Sequence, residues 1–285
     1  MSTHDPNHPL WPYKARIPGP LYWLYRGMRT AAVAFCFAGF WTGCLLVGWL
    51  WLPWLVLWPG TSAAKMGRAL RAVHWGFRFF HFTMHTLRLY HRKTPFKVLR
   101  PNGIPSDTAA VLVANHPTLC DTTSIVSLFP NVVAVAQPAY AAHPLLKRVV
   151  RMCGFVPVGI HMIKECEERL RTGFDVLIFP EGTRSPYGGG IQPFHRGAFE
   201  LAARAKVPVV LLKLTCTPPA LSKRLPIWKY SDRMAVLTIE AVEMIHPADS
   251  GVDSRTWART IEQRYREMLG YSASASELQS VGGVP

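Results

Sequence analysis

Acidic residues are scarce in this 285-residue chain: 17 Asp and Glu stand against 32 Lys and Arg, for a formal net charge of +15 with histidines neutral. A surface so short of negative charge favours anions, with nucleic acid, acidic lipid headgroups and phosphorylated substrates as candidate classes. No recognised nucleic-acid-binding motif occurs, so nucleic acid is set aside as a partner. Paired cysteines are also missing. Cys36, Cys44, Cys120, Cys153, Cys166 and Cys216 include no C-x-x-C pair, which excludes a disulfide framework or zinc signature and fits a reducing compartment. Charged residues make up only 17% and apolar ones 49%, which excludes wholesale disorder and points to a membrane. There is no internal repeat, and the length suits one full-sized domain plus an appendage.

Charge vanishes altogether between Arg29 and Lys65. Ala31 to Trp58 is apolar throughout, long enough to cross a bilayer core, and too long and too rich in tryptophan for a cleaved secretory signal. Trp41, Trp49, Trp51, Trp54 and Trp58 suit headgroup depth, and Gly39-x-x-x-Gly43 offers a smooth face for close helix contact. Pro53 leaves two arrangements open, one tilted span or a re-entrant hairpin of short helices, beside the plainer reading of a buried core helix. Lys14, Arg16, Arg26 and Arg29 precede this stretch, while Lys65, Arg68, Arg71, Arg78, Arg88, Arg92 and Lys93 follow it. The heavier basic flank places the rest of the chain on the cytoplasmic side of an inner membrane.

From Ala63 to His91 no proline intervenes, and Arg68, Arg71, His74, Arg78, His81, His85 and Arg88 recur at steps of three and four. Leu70, Val73, Phe77, Phe80, Met84 and Leu87 form a second stripe, so a basic amphipathic helix over 63–92 is expected, lying along anionic lipid or presenting a solvated face over a core. Beyond it, short β-branched runs alternate with helical stretches. Strands are expected at Ala109–Ala114, Val132–Ala136, Phe155–Val158, Val176–Phe179, Val207–Leu214 and Ala235–Ala241. Helices are expected at Thr122–Phe129, Pro144–Met152, Met162–Thr172, Arg196–Ala205 and Ser254–Met268. The fold class that follows is α/β, a mostly parallel sheet flanked by helices, with its chemistry at strand ends. The expected partition is a basic segment 1–30, a membrane segment 31–58, the amphipathic helix 63–92, a catalytic domain 96–270 and a disordered tail 271–285.

Two clusters carry chemistry. The first strand runs into Asn115-His116-Pro117-Thr118-Leu119-Cys120-Asp121, which puts His116 on the turn and Asp121 near the next helix start. An aspartate folded back onto a histidine fixes its tautomer and readies the other ring nitrogen as a general base. No G-x-S-x-G elbow supplies a serine nucleophile, so a His-Asp dyad acting on a substrate hydroxyl remains, with Cys120 as an alternative thiol nucleophile or a small packing residue. The second cluster, Phe179-Pro180-Glu181-Gly182-Thr183-Arg184-Ser185, also follows a strand; it offers a close backbone approach, two hydroxyls and a guanidinium fork suited to phosphate. Gly188-Gly189-Gly190 lacks the lysine and helix start of a P-loop. His143, His161 and His195 have no carboxylate at a telling spacing, His195 being the one to test because it follows the Arg184 loop.

In this order the clusters resemble the signatures N-H-x-x-x-x-D and F-P-E-G-T-R of the glycerolipid acyltransferase family, typified by bacterial 1-acylglycerol-3-phosphate acyltransferases. The resemblance runs from about Val111 to Leu214 and includes Pro193-Phe194-His195-Arg196-Gly197-Ala198 and Val207-Pro208-Val209-Val210. It implies a membrane-bound enzyme of phospholipid biosynthesis that moves a fatty acyl group from acyl-CoA or acyl carrier protein to a lysolipid hydroxyl. No covalent enzyme intermediate, bound cofactor or metal is implied. His116 would take the hydroxyl proton, Asp121 orient it, and Glu181, Gly182, Thr183 and Arg184 hold the acceptor's phosphate side. The chain departs from the pattern at Ile160, where a phosphate-binding arginine is expected, at His195, where lysine is frequent, and at Leu211, often a proline. Lys147, Arg148 and Arg151 are candidates to replace the lost charge. The alternatives are acyl transfer to a non-glycerolipid acceptor, thioester hydrolysis, and a silent lipid-binding protein.

Overall fold

The strands are β1 (Tyr90–Lys93), β2 (Val111–Ala114), β3 (Val132–Ala136), β4 (Val156–Pro157), β5 (Asp175–Ile178), β6 (Val209–Thr217) and β7 (Ala235–Ile245); the short apolar runs of β2, β3, β5 and the first half of β6 are mostly buried on both faces, while β7 alternates buried and half-buried residues. They form one sheet in the order β1-β7-β6-β2-β5-β3-β4 in a computed structural model that describes residues 19–94, 109–186, 189–223, 231–247 and 251–271. Every pairing is parallel except β6 with β7. Lys14, Arg16, residues 96–108, Gly188 and the tail 272–285 lie outside the described residues.

β1 is the strand the helical periodicity concealed. The helix expected over 63–92 is α3 (Ser62–Thr86), which ends early because Arg88 adopts a left-handed conformation, with φ 54°. Leu89 N donates to Met84 O at 2.9 Å, and the chain then extends so that Tyr90 pairs with Ala235. β4 is reduced to two residues, and β7 runs four residues beyond its expected end.

The apolar helix likewise begins earlier than expected. α1 (Gly19–Leu46) passes through a π-helical turn, Val47–Trp51, into α2 (Leu52–Leu57), and α3 returns alongside. Pro53 falls in the first turn of α2, where its missing N–H costs little, so the helical run continues through it. Arg68 of α3 closes the hairpin by donating from Nε to Leu55 O and from Nη2 to Trp58 O, at 3.2 and 2.7 Å. Phe40 of α1 packs on Phe77 and Phe80.

α1 is tied to the body at two distant places. Near its start, Arg26 pairs with Asp232 at 2.8 Å, Tyr25 donates to the Asp232 carbonyl, and buried Arg29 donates to Arg88 O and Ser231 O. Near its end, Trp41 stacks on His143, Gly48 lies against Val149, and Trp49 lies under the Arg148 guanidinium. The first anchor sits beside the starts of β1 and β7, the second against α5 (Pro138–Ala142) and α6 (Lys147–Met152), which follow β3. The helix therefore lies across the edge of the sheet where the parallel strands end.

α3 does not present its histidines outward as one stripe. His74 and His81 are buried against α4 (Asp121–Val126), His74 Nδ1 lying 2.9 Å from Val126 O and His81 Nε2 3.1 Å from Thr123 Oγ1. Trp75, Phe79 and Phe82 are exposed instead. On the other group of helices, α8 (Gly197–Ala205) packs between α7 (Met162–Arg171) and α9 (Ser254–Met268). Tyr265 of α9 donates to Val113 O and Leu212 O, joining it to β2 and β6.

Burial, with a smaller contribution from the Arg92 charge, pushes the His81 imidazole down from 6.5 to about 3. The unfolded chain therefore binds a proton below pH 6.5 that the native chain refuses until about pH 3, so stability falls as pH drops through that interval. Thermal unfolding of the detergent-solubilised chain is expected to show a midpoint that declines below about pH 6.5, with a shallower decline in His81→Phe. Equal slopes for the two chains would remove His81 from this role.

Candidate active site

At the end of β2 the backbone turns around one buried carboxylate. Asp121 Oδ2 accepts from Thr118 N at 2.7 Å and from His116 Nδ1 at 2.7 Å, while Oδ1 accepts from Thr118 Oγ1 at 2.6 Å. The aspartate side chain is 0% exposed and that of His116 is 18% exposed. A carboxylate accepts only, so His116 Nδ1 carries the hydrogen and Nε2 keeps its lone pair. Asn115 anchors the turn from the other side: its amide nitrogen donates to Leu214 O and its oxygen accepts from Leu214 N, both at 2.8 Å. The dyad residues, five apart in sequence, are thus brought together by a loop pinned to β6.

The second cluster walls this loop. The Phe179 ring stacks on His116, with centroids 4.1 Å apart and planes at 20°. Glu181, expected on the ligand side, turns inward. Its Oε1 accepts from His116 N at 2.9 Å and from Ser185 Oγ at 2.7 Å, and its Oε2 accepts from Gln192 N at 2.8 Å. Ser185 N returns a bond to His116 O at 2.8 Å. Glu181 therefore braces the histidine loop against its neighbour, because both of its oxygens are committed to donors in the protein. Burial pushes its carboxyl above the usual range, opposed by the bonds from Gln192, Ser185 and His116.

Gly182 and Thr183 are exposed, and half-buried Arg184 donates from Nη1 to Leu221 O at 3.0 Å. Gly182 has φ 65°, and a Cβ there would also come within 3.3 Å of the His195 ring. His195 is held by its backbone N–H donating to Pro180 O at 2.9 Å, so a second, exposed imidazole lies beside the Gly182 backbone.

Burial, followed by the neighbouring Asp121 charge, pushes the Cys120 thiol far up, which removes it as a nucleophile. Ile160 is 93% exposed. Lys147 and Arg148, offered in exchange for its missing charge, lie over the Trp49 ring, 5.9 and 3.9 Å from the centroid. Ser185, read from the sequence as a hydroxyl donor toward a ligand, donates to Glu181 Oε1 instead, and Asn115, Thr118 and Phe179 are the residues that the sequence left without roles. Their signal was their place inside the two blocks.

Residues 95–212 match the family model described as Acyltransferase. A chloroplastic 1-acyl-sn-glycerol-3-phosphate acyltransferase of Brassica napus is 34% identical over 119 residues, 39% of this chain and 34% of that protein. Its counterpart in Arabidopsis thaliana is 34% identical over 134 residues, 43% of this chain and 37% of that one. A 1-acyl-sn-glycerol-3-phosphate acyltransferase of Helicobacter pylori is 23% identical over 170 residues, 56% of this chain and 69% of the relative. The chain thus spans little more than a third of the two plant relatives it matches. The crystal structure of the 1-acyl-sn-glycerophosphate acyltransferase PlsC from Thermotoga maritima has the same fold, with a TM-score of 0.67, 19% identity, and coverage of 87% of this chain and 99% of that one.

The bracing role of Glu181 is tested by Glu181→Gln, which turns an amide NH₂ toward donors already present. The expected result is a loss of about 1–3 kcal/mol of stability together with reduced turnover. A variant with unchanged unfolding midpoint and reduced affinity for an anionic ligand would instead return Glu181 to the ligand side.

Proposed function

We propose that the chain is a glycerolipid acyltransferase that transfers a fatty acyl group from a thioester, acyl-CoA or acyl carrier protein, to a lysolipid hydroxyl, with 1-acylglycerol-3-phosphate as the leading acceptor; the Acyltransferase match over residues 95–212 and the acyltransferase relatives support this reading. The observation that carries this reading is the 2.7 Å contact between His116 Nδ1 and Asp121, which leaves Nε2 free as an acceptor at the sheet edge crossed by α1.

His116 Nε2 takes the acceptor's hydroxyl proton as the oxygen attacks the thioester carbonyl. Asp121 keeps the ring oriented and stabilises the imidazolium. When the tetrahedral intermediate collapses, the carbon–sulfur bond breaks and the imidazolium returns the proton to the departing thiolate, so the enzyme is unchanged and carries no acyl group at any stage. Thr183, the Gly182 backbone and the Arg184 fork face the acceptor's anionic end. One Arg184 nitrogen is already engaged by Leu221, which fixes the fork at the rim of the site. A second reading, an acceptor without a phosphate monoester, is favoured by exposed Ile160 at the place where the family resemblance expects arginine.

α1 lies along the membrane surface in this reading. The apolar helical run Gly19–Leu55 is 37 residues, about 55 Å at the rise of an α-helix and well beyond a bilayer core of about 30 Å. Its two anchors on one body suit a helix embedded sideways in one leaflet, with Trp23, Phe35, Trp51, Trp54 and Trp58 exposed to lipid and the domain on the cytoplasmic face of the inner membrane.

Offering the purified chain a labelled acyl thioester with lysophosphatidate, other lysolipids and neutral hydroxyl lipids, then weighing the product, tests donor and acceptor together. His116→Ala is expected to abolish transfer, Asp121→Asn to lower it roughly 10²- to 10⁴-fold, and Cys120→Ala to leave it near wild type with no acyl-enzyme trapped. Near-normal turnover by His116→Ala would refute the assigned base. For topology, single cysteines at Trp23 and Trp54 in a chain otherwise free of reactive thiols should be labelled from the same side of sealed vesicles. Labelling from opposite sides would show a span.

A further inference from the structure

A line of hydrogen bonds, joined through the backbone of Cys120, leads from the buried face of α3 to the histidine of the site. His81 Nε2 meets Thr123 Oγ1 at 3.1 Å, and Thr123 Oγ1 donates to Cys120 O at 2.9 Å. Cys120 N donates to Thr118 Oγ1 at 3.1 Å, and Thr118 Oγ1 donates to Asp121 Oδ1 at 2.6 Å. Asp121 Oδ2 then accepts from His116 Nδ1. A hydroxyl has one hydrogen, and that of Thr123 is spent on Cys120, so its bond with His81 requires His81 to donate from Nε2. The ring is thereby fixed in its neutral Nε2–H form, with the buried Nδ1 lacking a partner among the described residues. Ser124 Oγ lies 3.3 Å from the same Nε2, and the Tyr90 ring sits 5.9 Å away. Two helical turns earlier, His74 meets Val126 O, so α3 grips both ends of the short helix that Asp121 opens.

We propose that His81 is a positioning residue for the dyad: through Thr123 and the Cys120–Thr118 turn it sets where the Asp121 carboxylate lies and hence how His116 is aimed. α3 carries Trp75, Phe79 and Phe82 on its exposed side, so one helix is exposed to lipid on one face and registered to the reacting centre on the other. α4 is only six residues long and packs chiefly against α3, so the tolerance that proton transfer needs draws on contacts from that helix. The polar contact from α3 supplies that constraint, which an apolar side chain of the same size would not.

This inference rests on reading His116 as the base, and the experiment separates the two. The full chain, labelled with ¹⁵N-histidine and held in lipid nanodiscs, gives a His116 Nδ1–H resonance assigned by its loss in His116→Gln. His81→Phe fills the same space without the donor. It is expected to shift that resonance and to lower kcat roughly tenfold to a hundredfold at an unchanged KM for the thioester, with His81→Gln restoring much of both. Thr123→Val breaks the same line one step on and should reproduce the effect if His81→Phe folds poorly. A well-folded His81→Phe and Thr123→Val with the wild-type resonance and kcat would overturn the proposal. A wild-type chain inactive on every thioester and acceptor, with the resonance still shifted by His81→Phe, would instead refute the catalytic reading and leave the positioning intact.

Discussion

A buried carboxylate is costly unless every oxygen finds a donor, and the turn from Asn115 to Asp121 is shaped by that requirement. Thr118 contributes both its backbone N–H and its hydroxyl, and His116 contributes the third donor. Satisfying Asp121 therefore creates the reactive tautomer of His116 as a by-product. The loop is then held from outside by the Asn115 clamp on β6 and by Glu181, which takes the His116 amide, so both signature blocks meet at one imidazole. The bonds that satisfy the buried carboxylate are the same bonds that set the proposed catalytic geometry.

For the proposed reaction, placing α1 across the sheet edge would solve a problem of delivery. Lysolipids reside in a bilayer, whereas acyl thioesters of CoA or carrier protein are water-soluble, and a centre serving both must sit where the two phases meet. In the proposed reaction the apolar helix would supply the lipid side, its ends being stitched to the body through Arg26 and Arg29 at one end and Trp41 and Trp49 at the other. The positive surface of the remainder suits an anionic thioester carrier approaching from water.

Much of this was legible in the chain. His116, Asp121 and the 179–185 block could be found because turn residues at fixed offsets follow apolar strands, and the α/β alternation follows from short β-branched runs. What escaped depended on partners far away in sequence. Arg26 and Arg29 look like the charged boundary of a membrane segment until Asp232 and Ser231, some 200 positions later, absorb them inside α1. His74 and His81 share the three-four spacing of the arginines and so read as one polar stripe. Only the carbonyl and hydroxyls of α4 distinguish a buried donor from a solvated one. β1 was hidden because nothing between Thr86 and Tyr90 breaks helical periodicity except the positive φ of Arg88, which a sequence does not display.

Reaction and recognition also separate along the site. The groups proposed to move the proton, His116 and Asp121, lie inward, and none of their bonds involves the positions where the chain departs from the family pattern it resembles. Two of the departures are exposed, Ile160 and His195, the latter beside the Gly182 backbone, whereas the third, Leu211, is buried in β6; Arg184 remains the guanidinium of the second cluster. In the proposed reaction, changing the charge of the exposed loop would alter which headgroup is held without disturbing how its hydroxyl is deprotonated, because the Asp121 bonds are made within the Asn115–Asp121 turn. A chain can therefore keep the full inner network while exchanging a phosphate-selective rim for a more apolar one. The contrast between a saturated Asp121 and an open Ile160 makes acceptor identity, rather than reaction type, the property most free to have diverged here.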